Sequence, residues 1–298
     1  MFKHFPKVKG FFSKFQTASH EILNPELDSF YAGRYIEGAI QEARPFLASR
    51  LGWMECYALG LKQSDRRIEQ SFIDKLRRHA GVFPPNKENF EEFCAIYLAS
   101  FQEVDLLALM QSPFEKELVE KYLPGSLRCG LGSLEPYLNS SPWSRSLQGR
   151  RVLVVHAFSE SIAKQYRENR RRIFADASVL PEFDLKCIKA PQTMLNETAG
   201  FANWAEALGD LKARVSALNF DVAIIGCGAY GLPLGAHIKK MGKVAIHFGG
   251  AVQLLFGISG KRWRDRPDFR SLMTDVWVSP MESERPLGWD KIEDGCYW

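Results

Sequence analysis

From Arg151 onward, short β-forming runs alternate with amphipathic helical segments, and this alternation constrains the fold more than any other feature. The β-forming runs are RVLVVH, FDLKCIKA, DVAIIG and KVAIH, and each is followed by residues with helical spacing of apolar side chains. Strands joined through helices pair in parallel, and helices usually cover both faces of a parallel sheet. The chain is therefore predicted to be an α/β protein with a Rossmann-like, mostly parallel sheet.

The preceding part, residues 20–148, is predicted to be mainly helical. Residues 66–80 and 89–101 carry apolar stripes with helical periodicity. The stretch around Gly52 differs, because Phe46 to Leu51 suits a strand and the residues from Trp53 onward suit a helix. Ser159, just after RVLVVH, is the predicted N-cap of the next helix.

Composition excludes several classes of protein. The net charge of +4 gives no reason to predict nucleic-acid binding, and no apolar run approaches the length of a membrane span. The six cysteines form no C-x-x-C pair, which indicates neither a zinc site nor a disulfide framework and favours a reducing cytoplasm. Walker A, G-x-S-x-G and H-E-x-x-H motifs are absent, so P-loop, hydrolase and zincin functions have no support.

The first sixteen residues, MFKHFPKVKGFFSKFQ, are basic and rich in phenylalanine. Such a segment suits contact with an anionic membrane surface, which would place the protein peripherally at the inner membrane face. The other interpretation is a leader whose phenylalanines pack on the domain. The sequence leaves both open.

The sequence GCGAYG follows the DVAIIG strand and contains the spacing G-x-G-x-x-G, at Gly226, Gly228 and Gly231. This fingerprint predicts a dinucleotide only when an acidic residue ends the next strand, where it holds the ribose. Here the next strand ends in His247-Phe248-Gly249, so an NAD(P)-dependent oxidoreductase is the less favoured interpretation. A crevice for another phosphate-bearing nucleotide, or glycines that serve packing alone, are the alternatives.

Other candidate residues should gather at the same edge of the sheet, because the carboxyl ends of parallel strands meet there. Gly52, His156 and the Gly249-Gly250 pair each follow a predicted strand. Lys261, Arg262, Arg264 and Arg266 surround Trp263 in a basic loop whose cations suit phosphate and whose indole suits a base or sugar ring. The alternative is a solvated basic loop with a packed tryptophan.

Several blocks resemble the GT-D-fold-like proteins found among bacterial surface-polysaccharide genes. They are LEPYLNSSPWSRSLQGRRVLVVHAFSESIAKQY, DVAIIGCGAYGLPLGAHIKKMGKVAIHFGGAVQLLFGISGKRW and the final CYW. The resemblance covers about residues 35–298, divided into a helix-rich part (35–148), a regular βα part (149–263) and a tail (264–298), after an extension (1–34). It implies a glycosyltransferase that moves a sugar from a UDP-type nucleotide-sugar donor to a glycan or glycolipid acceptor in cell-surface polysaccharide synthesis.

The family motif R-F-G-D-G-E corresponds here to Arg50-Leu51-Gly52-Trp53-Met54-Glu55. Trp53 replaces the Asp that the resemblance would use for a divalent metal and the donor diphosphate. A single carboxylate is a poor site for Mg²⁺ or Mn²⁺, so the metal ligands are unknown and metal dependence is doubtful.

The sequence thus predicts Glu55 as the catalytic carboxylate, with His156 in reserve for acid–base chemistry. The predicted donor-binding residues are Arg50, Gly52, Gly226, Gly228, Tyr230, Gly231, Gly249, Gly250, Gln253, Lys261, Arg262 and Trp263. The alternative is a non-catalytic protein that binds or senses nucleotide sugars, which the Trp53 substitution favours.

Overall fold

The computed structural model describes residues 23–64 and 67–298 of the chain. The basic segment 1–16, with its proposed membrane contact, lies outside the described residues. Within them, no helix is both long enough and apolar enough to cross a bilayer.

Seven strands form one sheet in the order β3-β2-β1-β7-β6-β4-β5, and all neighbouring strands run parallel. Their bounds are β1 Phe46–Arg50, β2 Leu106–Leu109, β3 Leu127–Gly130, β4 Arg151–His156, β5 Asp184–Lys189, β6 Val222–Gly226 and β7 Val244–His247. The predicted Rossmann-like α/β fold is therefore confirmed, and the sheet is parallel throughout.

Helices cover both faces of the sheet. One face carries α2 Trp53–Gln63, α3 Gln70–Ala80, α4 Lys87–Phe101, α5 Glu115–Tyr122, α7 Trp204–Ser216 and α8 Gly231–Lys240. The opposite face carries α1 Ser29–Gln41, α6 Ser159–Ile173 and the short α9 Val252–Leu255, α10 Lys261–Arg264 and α11 Pro267–Arg270. The central strands are buried on both sides, which explains their continuous apolar sequences.

The connections that leave the neighbouring strands β4 and β6 run in opposite directions along the sheet. After β4 the chain crosses outward to β5 through α6, whereas after β6 it crosses inward to β7 through α8 on the opposite face. Opposite directions require opposite faces if the crossovers share one handedness. The loops that follow β4 and β6 therefore diverge, and such a divergence is where open parallel sheets form a ligand crevice.

The part before residue 148 contains more β structure than predicted. The strand around Phe46 and the helix from Trp53 are confirmed, but Leu106–Leu109 and Leu127–Gly130 form two further strands. Both have only four residues, too few to show a periodic pattern against the flanking helices. The helix-rich and regular parts thus share one sheet, and α1 runs across residue 34, where the extension was expected to end.

The prediction for Ser159 is wrong. Phe158 occupies the N-cap position without a side-chain cap, and Ser159 is the first helical residue of α6. The orphan N–H groups of this helix are satisfied from far along the chain by Glu284, which is buried. Its Oε1 accepts from Glu160 N at 2.8 Å, and its carboxylate also accepts from Ser161 N and Ser161 Oγ. The carboxylate of Glu284 thus caps α6, a role that the sequence predicted for Ser159.

Candidate functional site

The carboxyl ends of β1, β7, β6 and β4 lie side by side and bring the predicted residues to one edge of the sheet. Arg50 ends β1, His156 ends β4, Gly226 ends β6, and Gly249 follows β7 by two residues. His156 and Gly226 are direct neighbours in the sheet register. The predicted gathering of these strand ends is confirmed.

Arg50 stands at the end of the inner strand β1, which pairs with β2 on one side and β7 on the other. Its Nε donates to the carbonyl of Leu51 at 3.1 Å, which fixes the side chain. Within residues 23–64 and 67–298 its guanidinium forms no ion pair, although the side chain is half-buried. A Cβ on Gly249 would come within 3.1 Å of Nη1, so the glycine backbone lies directly against this cation.

Glu55 lies in the first turn of α2 and folds back over the start of that helix. A Cβ added to Gly52 would lie 1.8 Å from Glu55 Oε2, so only glycine at position 52 leaves room for the carboxylate. Burial raises the pKa of Glu55, while its own backbone N–H and the charge of Arg50 work in the opposite direction. A carboxyl with a raised pKa beside a cation is suited to exchange a proton with a ligand.

Trp53 occupies the position where the sequence resemblance expects an aspartate. Its ring stacks on Tyr57, with centroids 5.8 Å apart and an interplanar angle of 7°. In the described part of the chain, no group of three or more His, Cys, Asp or Glu side chains is arranged to hold a metal ion. The residues of this turn therefore do not fit the divalent cation that the resemblance implies.

Two of the three fingerprint glycines make room for histidine rings. A Cβ on Gly226 would lie 2.5 Å from His156 Cδ2, and a Cβ on Gly231 would lie 2.1 Å from His247 Nε2. Gly228 is different, because it is exposed, has a φ of +56° and has nothing within 4 Å of a Cβ position. Gly228 is thus the fingerprint glycine whose backbone a ligand can approach, while the other two serve packing.

Both histidines are buried and neutral at physiological pH. Nδ1 of His156 accepts from Phe158 N at 3.0 Å, and Nδ1 of His247 lies 3.0 Å from Ser49 Oγ. Desolvation lowers the pKa of each ring to about 3. A base with so low a pKa is inefficient near neutral pH. The contacts of His156 with Phe158 N and with Gly226 therefore support a structural role for its ring.

Tyr230 lies in the core, 2% exposed. Its ring stacks on Trp204 with centroids 5.2 Å apart, and its hydroxyl lies 2.8 Å from Thr193 Oγ1. The structure therefore gives the Tyr230 ring a packing role.

The last residues of the chain cover the Gly250 side of the crevice. A Cβ on Gly250 would lie 2.4 Å from Tyr297 Cε1, and Gln253 Nε2 donates to the carbonyl of Tyr297 at 3.1 Å. Arg262 Nη1 donates to Tyr297 Oη at 3.2 Å, and its Nη2 pairs with Glu293. Gln253 and Arg262 thus hold the segment 293–298 in place.

The two neighbours of Arg262 differ in accessibility. Trp263 is buried and lies within the hydrophobic core, with its ring edge-to-face to Tyr297. Lys261 remains exposed and lines a cavity beside the segment 279–298. Of the predicted basic loop, Lys261 and Arg264 are exposed and line this cavity, while Arg266 pairs with Asp268.

Sequence reasoning missed Glu135, a buried carboxyl near the same edge. The Tyr137 hydroxyl lies 3.0 Å from Glu135 Oε2 and 3.0 Å from the carbonyl oxygen of Ala251, which follows Gly250. Desolvation raises the pKa of Glu135 to about 7, although Tyr137 and the charges of Arg266 and Arg50 act in the opposite direction. The connection between β3 and β4 carries no periodic pattern, so only the folded contacts single this residue out.

Comparison with known proteins assigns no family to the chain. No family model matches the chain, and no curated protein matches it. Among solved structures, the chain is similar to one titled "Selenomethionine substituted structure of domain of unknown function 1792", with 17% sequence identity and a TM-score of 0.42. The match covers 76% of this chain and 78% of that chain. A likeness at this level assigns neither a family nor a site residue, so the glycosyltransferase resemblance stays a prediction from the sequence.

Proposed function

We propose that the chain is a glycosyltransferase that uses a nucleotide-sugar donor and that Arg50 binds the donor diphosphate. The observation that carries the proposal is the half-buried Arg50 side chain at the end of the inner strand β1, whose guanidinium has no ion-pair partner among the described residues. A guanidinium presents a fork of N–H donors that matches phosphate oxygens. The carboxyl end of a parallel sheet is also the edge at which such folds bind nucleotides.

The open backbone of Gly228 supports the same location. Gly228 follows β6, two strands away from β1, which corresponds to about 10 Å between strand axes. Gly228 is exposed, has a φ that favours glycine and lies three residues before α8 begins, so a ligand could approach its backbone there. Arg50 and Gly228 would then bracket the diphosphate from two sides of the crevice.

In this proposal the chemistry needs one cation and one base. When the sugar–phosphate bond breaks, negative charge develops on the departing nucleoside diphosphate, and Arg50 stabilises it. Glu55 accepts the proton of the acceptor hydroxyl as that oxygen bonds to the sugar carbon. The raised pKa of Glu55 makes it a stronger base than an exposed glutamate. No step is assigned to a metal, since the turn at Trp53 lacks the ligands for one.

Thermal-shift measurements with UDP, GDP, NAD and NADP, each with and without Mn²⁺, test the ligand class. We expect UDP or GDP to stabilise the wild-type protein and Arg50→Met to abolish that shift. Arg44→Met is the matched control, because Arg44 lies just before the same strand but its side chain is 47% exposed and pairs with Glu42. Stabilisation by NAD alone, or an unchanged shift in Arg50→Met, would refute the proposal.

The role of Glu55 is tested by turnover. Release of UDP from UDP-glucose, UDP-galactose and UDP-N-acetylglucosamine in the presence of acceptor glycans should fall by about a hundredfold or more in Glu55→Gln, because proton transfer of this kind typically contributes that much. UDP binding should persist in the variant. Equal turnover in wild type and variant would remove Glu55 from the mechanism.

The second candidate function is a non-catalytic protein that binds nucleotide sugars. It is favoured by Trp53, which stacks on Tyr57 where a metal-binding carboxylate was expected. Binding of UDP without turnover of any of the three sugar donors would support this function instead.

A further inference from the structure

A cavity lies beside the C-terminal segment 279–298. It is distinct from the proposed donor site at Arg50, which does not line it. It has a volume of about 510 Å³ and is bounded by α10 and by residues between Ser279 and Trp298. A cavity of this size is ordinary for a small-molecule site. Of the predicted donor ligands, only Lys261 lines it.

The cavity carries equal numbers of positive and negative side chains. Its cations are Lys261, Arg264 and Arg285, and its acids are Asp265, Asp290 and Asp294. Lys261 and the three aspartates form no side-chain hydrogen bond or ion pair with any residue in the ranges 23–64 and 67–298. The three carboxylates would repel a diphosphate. A neutral polyol, in contrast, can donate hydrogen bonds to the carboxylates and accept them from the cations.

Two indole rings line the same cavity. Trp289 and Trp298 have centroids 5.9 Å apart and planes tilted by 55°. Trp298 is 4% exposed, and its Nε1, which can only donate, has no acceptor among the described residues. The guanidinium of Arg285 lies 5.0 Å from the centre of the Trp289 ring, and its Nε also lacks a partner in the described part of the chain. The two indoles and the Arg285 guanidinium thus give the cavity aromatic and cationic walls.

We propose that this cavity binds a neutral saccharide and that the saccharide is the acceptor of the transfer. Sugar rings have apolar C–H faces that pack on indoles, while their hydroxyl groups both donate and accept, which matches aspartates and cations in equal number. The assignment as acceptor rests on the proposed glycosyltransferase function. The binding of a neutral saccharide does not, because it follows from the lining of the cavity.

The cavity adjoins the crevice through adjacent residues of the chain. Trp298 lines the cavity, while Tyr297 packs on Gly250 at the edge of the crevice. Lys261 N donates to the carbonyl of Trp298 at 3.0 Å, which ties α10 to the same segment. A saccharide in the cavity would therefore lie next to the donor site.

Isothermal titration with maltose, lactose, cellobiose and N,N′-diacetylchitobiose tests the proposal. At least one should bind the wild-type protein with a dissociation constant of about 1 mM or tighter, and Asp290→Asn and Trp289→Ala should each weaken that binding by about tenfold. Trp289→Phe, which keeps an aromatic face, should retain most of it. Asp275→Asn is the matched control for Asp290→Asn, since Asp275 is 76% exposed and pairs with Arg172 away from the cavity.

The outcomes separate this proposal from the proposed function. UDP binding, measured in parallel, should be unchanged in Asp290→Asn and lost in Arg50→Met. The saccharide site is overturned if none of the four sugars binds, if binding is unchanged in both cavity variants, or if those variants abolish UDP binding instead. Saccharide binding without any UDP binding would keep the site and overturn the transferase.

Discussion

Glu135 provides the sharpest test of the physical reasoning, because burial raises the pKa of its carboxyl to about 7 in the folded protein. The Tyr137 hydroxyl has one proton but lies 3.0 Å from both Glu135 Oε2 and the carbonyl oxygen of Ala251. An ionised Glu135 accepts from the tyrosine hydroxyl, whereas a protonated Glu135 can donate to the tyrosine oxygen while the hydroxyl donates to the carbonyl. With a pKa of about 7, the carboxyl changes between these two arrangements near neutral pH.

The perturbation is Glu135→Gln, whose amide can donate to Tyr137 as the protonated acid does. In wild type the pKa is raised from 4.5 in the unfolded chain to about 7 in the folded protein. Because the folded state holds the proton more tightly, this stabilisation is complete below about pH 4.5 and is lost as the pH rises towards 7. The shift corresponds to about 3 kcal/mol of unfolding free energy.

The assay is urea denaturation of both proteins at a series of pH values. The difference in unfolding free energy between Glu135→Gln and wild type should grow by about 3 kcal/mol in favour of the variant from pH 4.5 to 7 and then level off. Other titrating groups are present in both proteins, so they cancel in the difference. Glu42→Gln, a change at a glutamate whose side chain is 65% exposed, is the control and should show no such trend.

A difference that stays constant across this pH range would refute the reasoning about Glu135. So would a difference of the opposite sign, with the variant losing stability relative to wild type as the pH rises. Either result would mean that the carboxyl is ionised in the folded state and that Tyr137 shares its proton between two acceptors.

Two further predictions concern stability. Gly231→Ala should lower the unfolding free energy by about 2 kcal/mol, because the new Cβ meets the His247 ring, whereas Gly209→Ala, with open space in α7, should raise it by about 0.5–1 kcal/mol. Equal effects in thermal melts would contradict the packing role of Gly231. Glu284→Gln should cost about 2 kcal/mol in urea denaturation, since the charged cap of α6 is lost, while Glu282→Gln, at an exposed position, should change little. A neutral Glu284→Gln would contradict the capping role.

The sequence predicted the parallel sheet, the strand–turn–helix at Gly52 and the meeting of the strand ends, because each depends on local periodicity and on a general rule of topology. It did not predict which glycines would be open. Gly226 and Gly231 belong to a phosphate-binding fingerprint, yet rings from other strands fill the space beside them. Which side chain packs beside a glycine from another strand depends on the tertiary structure, and a short sequence motif does not contain that information.

The same reason explains the residues that were missed or misassigned. Ser159 looked like a helix cap, but Glu284 reaches α6 from another part of the chain and takes that place. Glu135 lies in a connection without periodicity, and its raised pKa depends on burial that only the fold produces. Residues whose properties come from tertiary contacts are the ones that a single sequence cannot identify.

The pairing of β1 with β7 has a consequence for how the protein is made. Phe46 of β1 lies beside Val244 of β7, so β1 cannot pair with this neighbour until translation has reached Val244. At about 5–20 residues per second, that delay is on the order of ten seconds or more, during which an unpaired strand edge can associate with other chains. Slower growth or chaperone co-expression should therefore raise the yield of folded protein.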